Sequence, residues 1–264
     1  MADTGRLTQT ATGLPAISRV TQVRIAIIVA ILVIWEATAA SGLLFRDVVP
    51  SLLVIGRAVG HLLVDHEFYW HLGVTATEVG TGLVIGGLAG LACGLALGAS
   101  RFLSRAFEHY LYYLGPTPKI IFFPIMIMWF GVGLGSKIAM GTISCFFPVA
   151  LSVAAGMRQI DGVLIRVGRS FRANTWQMVT KIYLPAMRAP IINGVRLGLG
   201  VAIIGTLLAE TKLSNRGVGY LIINSYSTFD MPRMYSLLIV VFVVAIGANA
   251  IVSRFADSDT VKRR

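Results

Sequence analysis

Between Arg158 and Asn193 the sequence carries six Lys or Arg (Arg158, Arg166, Arg169, Arg172, Lys181 and Arg188) against one acid, Asp161, with long apolar runs on both sides. Such a stretch cannot cross a bilayer, because each cation at the hydrocarbon centre costs about 2.5 kcal/mol or more. It sits outside the membrane while its neighbours cross. Within it, Asn174 followed by Gln177 has the pattern of a helix start: the Asn oxygen accepts from first-turn amides and the Gln reaches back. Tyr183-Leu184-Pro185 is expected to end that helix, since a residue before proline is pushed out of the α region. The segment therefore reads as a projecting knob: a short helix, a break, then Pro190 and a new apolar run.

Charged residues make up 13% of the chain and hydrophobic ones 56%, whereas soluble domains carry about 25% charged residues. The chain is a polytopic membrane protein. Its net charge of +11 does not indicate nucleic acid, which calls for basic residues clustered on a folded surface with aromatics among them; here they lie in loops between spans. Cys93 and Cys145 stand alone in apolar segments, so neither a disulfide framework nor a metal quartet is available. His61, His66 and His71 recur every five residues, which is not the three- or four-residue spacing that shares a helix face, and no metal or cofactor site is expected.

Six apolar runs are long enough, or nearly so, to cross at about 1.5 Å per residue: Ile25 to Leu44, Gly73 to Gly98, Phe107 to Phe130, Ile138 to Met157, Ile191 to Thr211 and Met234 to Val252. Residues 1–22 read as a polar tail with Gly13 and Pro15, and the first run as an uncleaved anchor in which Glu36 reaches toward the interface. Arg46 to Leu72 is a mixed loop, with an amphipathic helix expected after Pro50 and Ser51. In the second run Gly82, Gly86, Gly90, Gly94 and Gly98 fall four apart and draw a stripe on which another backbone can approach closely. The third run is broken by Gly115-Pro116-Thr117-Pro118-Lys119 and by Pro124. Prolines inside a membrane are tolerated where neighbours or a cavity satisfy the freed carbonyls, so Pro118 and Pro124 point to a span facing the bundle interior and a pathway. Gly131 to Lys137 resembles a phosphate loop but has Ser136 and Lys137 in the wrong order, and reads as a turn. Lys212 to Arg233 is a loop whose apolar patch, Tyr220 to Ile223, is too short to span. Glu210, an acid inside a span near its outer end, is costly unless it faces protein or water; a gate or a helix contact suits it better than solute binding.

With both termini on one side, the loops of that side hold fifteen Lys and Arg and those of the other six: Arg46, Arg57, Lys137, Lys212, Arg216 and Arg233. Excess positive charge marks the cytoplasmic side. Both termini and the central basic loop are expected there.

From Pro50 onward the chain resembles the inner-membrane permease subunit of ABC importers, in the branch that handles nitrate, sulfonates and taurine. The resemblance lies in Gly115 to Lys119, Phe123 to Gly133, Phe146-Phe147-Pro148, Trp176 to Pro185, Gly194 to Leu197, and Ala209-Glu210. It implies an all-α membrane protein with six transmembrane helices in the type I importer architecture and a coupling helix in the 158–193 loop between spans four and five. The transmembrane domain would be 23–253, with a C-terminal tail 254–264. Implied partners are a cytoplasmic ABC ATPase, an external solute-binding protein, and a second permease subunit in a homodimer or heterodimer. In such permeases the loop before Leu-Pro carries Glu-Ala-Ala and a glycine. Here Arg166-Val167-Gly168 stands at the former and Arg172 at the latter. The residues implied in ATPase coupling are Arg166, Arg169, Arg172, Ala173, Trp176, Leu184 and Pro185, with the three arginines on one helix face. The chain itself would hydrolyse nothing. Two other classes compete: an ion-coupled secondary transporter using Glu210 as a proton relay, and a membrane enzyme, which would need converging polar residues within the spans that the sequence does not offer.

Overall fold

The computed structural model describes residues 19–42 and 48–260, so Gly13, Pro15, Leu44, Arg46, Lys262, Arg263 and Arg264 lie outside the described residues. The described part is helical. In order come α1 (Arg19–Ser41), α2 (Leu52–Val64), α3 (His66–Ala99), α4 (Arg101–Leu114), a 3-10 turn (Lys119–Phe122), α5 (Phe123–Phe130) and α6 (Leu134–Arg158). Then follow α7 (Gly162–Ser170), α8 (Thr175–Gln177), a π-helical stretch (Met178–Tyr183), α9 (Leu184–Ala186), α10 (Arg188–Lys212), α11 (Val218–Ser227) and α12 (Met231–Thr260).

The chain divides into two units, residues 1–55 and 56–264. In the first, the stretch of α1 between Arg24 and Glu36 is apolar all round, and none of the helix's residues is buried. Glu36 accepts from the Leu52 amide at 2.9 Å, supplying an acceptor to a free N–H at the start of α2. The indole of Trp35 donates to Pro50 O at 3.1 Å.

In the second unit α6 is the central helix, with α3 on one side and α10 on the other. The glycines explain why. A Cβ at Gly82 would lie 3.0 Å from Thr142 N, one at Gly90 2.7 Å from Phe146 O, and one at Gly94 2.6 Å from Ala150 O; Gly86 and Gly98 abut Thr142 and Met157. The α3 stripe thus seats its backbone directly on α6. On the opposite contact Gly194, Gly198 and Gly205 of α10 meet Val149, Cys145 and Met140. Lipid tails are as apolar as Leu, so this close approach with its dispersion contacts is what holds such helices together. α11 and α12 pack against α10, and Leu62, Phe68, Val218, Leu221 and Leu237 form a second apolar cluster at that end.

Five described helices are long and apolar enough to cross a membrane, six if α4 and the Lys119–Phe130 stretch count as one span. Several boundaries differ from the sequence reading. The third run is not one straight helix over 107–130: α4 begins at Arg101, and the chain bends by 93° between Leu114 and Lys119, where Pro116 and Pro118 interrupt the hydrogen-bond ladder. α3 starts at His66 rather than Gly73, because Asp65 caps it by accepting from Glu67 N at 3.0 Å. α1 starts at Arg19, inside the expected tail, and α12 runs to Thr260, into the other.

Candidate functional site

Among the described residues polar side chains gather on the knob between α6 and α10 and in a buried cluster where α3, α6, α10 and α11 meet.

The knob is built by capping. Asp161 accepts from Val163 N at 2.8 Å and starts α7. α7 ends in a Schellman turn, with Ala173 N bonded to Gly168 O at 3.0 Å and Arg172 N to Arg169 O at 2.9 Å. That turn requires a left-handed residue, and Arg172 occupies it at φ 52°. The expected box then forms: Gln177 N donates to Asn174 Oδ1 at 2.8 Å and Asn174 N to Gln177 Oε1 at 3.0 Å. The three arginines do not share one helix: Arg166 and Arg169 lie on α7, whereas Arg172 is past its end.

Leu184-Pro185 does not end the following helix. The chain widens into a π-helix over Met178–Tyr183 and continues through α9, so the only break is at Met187, just before α10. Proline has no N–H to donate, and a wider turn ahead of it absorbs the mismatch that would otherwise kink the helix. α10 starts at Arg188 with Pro190 in its first turn, which shortens the loop from 158–193 to about the residues 159–187. α7 packs on the π stretch through Gly168, where a Cβ would meet Ile182 and lie 2.7 Å from Met178 Sδ. On the outside Phe171 is 83% and Trp176 74% exposed, with Val163, Leu164 and Val167 about half exposed. Arg166, Arg169 and Arg172 are exposed on the same non-spanning segment.

The buried cluster organises the start of α11. That helix presents unpaired amides at its N-terminus, and three side chains from other helices take them. His71 Nδ1 accepts from Gly217 N at 2.9 Å, Thr75 Oγ1 from Val218 N at 2.8 Å, and Glu210 Oε2 from Gly219 N at 2.6 Å. Thr75 Oγ1 in turn donates to Glu210 Oε1 at 2.7 Å. Gly217, at φ 95°, leaves no room for a Cβ against the Glu210 carboxylate. Glu210 is fully buried, and its carboxyl group faces the positive end of the α11 dipole.

Lys137 is not a loop residue as the charge pattern suggested. It lies in the first turn of α6, 1% exposed, and its ammonium donates to Val132 O and, at 2.9 Å, to Leu213 O. It ties the α5–α6 turn to the end of α10. Glu78, one turn along α3 from Thr75, is buried within electrostatic reach of Glu210 and Lys137. Neither of its oxygens, nor the Thr206 hydroxyl, has a hydrogen-bond partner among the described residues. The premise that polar residues within the spans are too few to converge is therefore wrong. His71, Thr75 and Glu78 fall at i, i+4 and i+7 on α3, a spacing that continues into Gly82 and puts all four on the buried face of that helix. Among the described residues no group of three His, Cys, Asp or Glu is placed to hold a metal ion.

Pro118 and Pro124 flank the 3-10 turn at the bend, where Lys119 donates to Gly115 O and lies 5.1 Å from the Phe147 ring centroid. A further ion pair, absent from the sequence reading, joins α4 to the end of α6: Glu108 Oε2 accepts from Arg158 at 2.7 Å and from Ser104 at 2.5 Å.

A family described as "binding-protein-dependent transport system inner membrane component" matches residues 82–258, the part that holds α6, the knob, α10 and most of the cluster. The chain belongs to this family. Among proteins similar to this permease component is the putative aliphatic sulfonates transport permease protein SsuC of Bacillus subtilis. It is 29% identical over 214 residues, covering 81% of this chain and 78% of that protein. The taurine transport system permease protein TauC of Escherichia coli is 29% identical over 213 residues, 78% of this chain and 77% of its own. The nitrate import permease protein NrtB of Leptolyngbya laminosa is 23% identical over 193 residues, 73% and 69%. In structure the permease component is similar to a chain of the inward-facing methionine ABC transporter MetNI, with a TM-score of 0.57 at 21% identity, covering 77% of this chain and 97% of that one. That likeness is one of fold.

Proposed function

We propose that this permease component forms the solute path of an ATP-driven importer and couples it to a separate ATPase through the loop between α6 and α10. The observation that carries the proposal is the exposed patch of Phe171 and Trp176 beside Arg166, Arg169 and Arg172 on a capped knob outside the spans. A rigid, capped segment transmits force, and an arginine-rimmed apolar surface suits a partner with acidic residues around a pocket. Ala173, Leu184 and Pro185 hold the knob's turn and its exit into α10.

ATP binding closes the ATPase subunits and draws two knobs together, and the helices rock the path between inward and outward opening around the bend at Pro118 and Pro124. The subunit works as a dimer, homodimer or heterodimer, with both termini and the knob cytoplasmic, and an external binding protein delivers the solute. That solute is a small anion of the sulfonate or nitrate type, in keeping with the names of the relatives. Glu210 acts here as a cap that fixes α11, at the outer end of the path.

Changing Arg166, Arg169 and Arg172 together to Glu tests the coupling, because like charges across a small interface cost several kcal/mol. Insertion is expected to persist, while copurification of the ATPase and uptake are lost. Unchanged copurification and uptake would falsify the coupling role. Uptake that continues after deletion of the ATPase gene would point instead to an ion-driven carrier.

A further inference from the structure

We propose that Glu108, through its bond to Arg158, is a positioning residue for transport: it makes α4 and the bend beyond it follow the knob. The inference rests on the importer reading and adds the residue pair by which a displacement of the knob reaches the broken third span.

α4 has little else to hold it. Among its described residues Glu108 alone is buried, whereas Phe102, Phe107, Tyr110, Tyr112 and Tyr113 on the same helix are more than half exposed. Five glycines seat α3 on α6, but α4 contains none. A membrane helix that cannot bring its backbone close to a neighbour depends on polar contacts instead.

The contact that Glu108 makes is to the root of the knob. Arg158 is the last residue of α6, and three residues further on Asp161 caps α7. Arg158 Nη1 donates to Glu108 Oε2 at 2.7 Å. Ser104, one turn back on α4, donates to the same oxygen at 2.5 Å and holds the carboxylate in place. A charge-assisted bond of this length is directional, and burial on the Glu108 side keeps water from replacing it. Neither partner has a substitute close by in sequence. Glu108 is the only acid in a helix that also carries Arg101, Arg105 and His109, and the one acid in the knob, Asp161, is engaged in the α7 cap.

Beyond Glu108 the chain follows α6 step by step toward its Leu134 end. A Cβ on Gly115 would lie 3.8 Å from Leu151 Cδ1, the Lys119 ammonium lies 5.1 Å from the Phe147 ring centroid, and Phe123 packs with Met140. The bond to Arg158 is the member of this series nearest the knob. The bend begins about 10 Å further along at 1.5 Å per residue. With the bond closed, α6, the root of the knob and α4 move as one body, and the bend takes up the displacement. With it open, α4 is held by its junction with α3 at Ser100 and by the bend alone.

The test uses the full-length permease component copurified with its ATPase and held in nanodiscs, in a background without Cys93 and Cys145. A single spin label sits on Tyr113→Cys in α4 or on Val163→Cys in α7, both exposed positions. ATP with vanadate traps the closed ATPase, and the change in each label's spectrum is read. Both labels should respond in the wild type. In Arg158→Gln and in Glu108→Gln the α7 label should keep its response while that of the α4 label falls at least threefold; the exchange of Glu108→Arg with Arg158→Glu should restore it. At rest, amides of 105–113 should exchange hydrogen at least fivefold faster in the single variants, with α3 unchanged. A fold-stabilising role alone would lower the melting temperature without separating the two labels. If the α4 label is silent in the wild type while the α7 label responds, or responds equally in the wild type and the single variants, the proposal is overturned. Loss of both responses in the single variants overturns it too, because the pair then acts in ATPase docking, and so does an exchange variant that inserts without restoring the α4 response; if it does not insert, the single variants decide alone. A silent α7 label in the wild type, or a wild-type preparation without ATPase, is a different failure: it sinks the importer reading, and this inference with it.

Discussion

Thr75 and Glu210, 135 positions apart, share a hydrogen bond of 2.7 Å at the start of a helix to which neither belongs. The hydroxyl donates to the carboxylate and accepts from Val218 N, so one oxygen joins α3, α10 and α11. Thr75→Val keeps the shape and removes both bonds. Leaving the Val218 amide and a buried carboxylate oxygen short of a partner should cost about 1–3 kcal/mol. The melting temperature in detergent is expected to fall, with Thr75→Ser recovering most of the loss. A Val variant that melts like the wild type would remove the capping account of Glu210.

Glu78 makes the opposite prediction. Neither Glu78 oxygen meets a hydrogen-bond donor among the described residues, and replacing such a buried group by an apolar one of similar size is often neutral or stabilising. Glu78→Leu and Glu78→Gln should insert normally and melt no lower than the wild type. A marked loss of stability in both would show that Glu78 makes a contact that its geometry in this structure does not contain.

The glycine stripe is tested at Gly90, where a side chain would press on Phe146 O and Val149 Cβ. Gly90→Leu forces α3 and α6 apart, and overpacking of this kind costs about 1–3 kcal/mol. Reduced folded protein in the membrane is the expected outcome. Gly87→Leu serves as control, because a Cβ there meets nothing within 4 Å.

Arg172 stands in a left-handed turn at a cost of about 1 kcal/mol relative to glycine. Arg172→Gly should tighten the knob, raising hydrogen-exchange protection around Ala173 about fivefold. It also removes one cation from the proposed docking surface. Tighter exchange with weaker ATPase copurification would separate the two roles of the position; unaltered exchange would dismiss the strain.

Orientation is checked with a single cysteine at Thr175, in a background without Cys93 and Cys145. Thr175 is exposed on the knob, so a membrane-impermeant thiol reagent added to intact cells should leave it unmodified and should label it rapidly after the cells are opened. Rapid labelling in intact cells would invert the topology.

Helix content, the knob, its capping box and the glycine stripe were legible in the sequence because each depends on residues close together in the chain. Apolar run length, an Asn174–Gln177 spacing of three and a Gly spacing of four are local patterns with local causes. Tertiary packing decided the rest. The sequence shows Lys137 in what resembles a loop, His71 and Thr75 at the edge of a span, and Gly217 and Gly219 in a polar connection. Nothing local tells that one helix start needs acceptors from two other helices, or that Lys137 closes onto Leu213 from 76 positions away. The same holds for Leu184-Pro185, where proline forecast a break and a π-helical stretch carried the helix through. Burial of polar groups is satisfied by whatever lies nearest in space, and that neighbour is fixed by the fold.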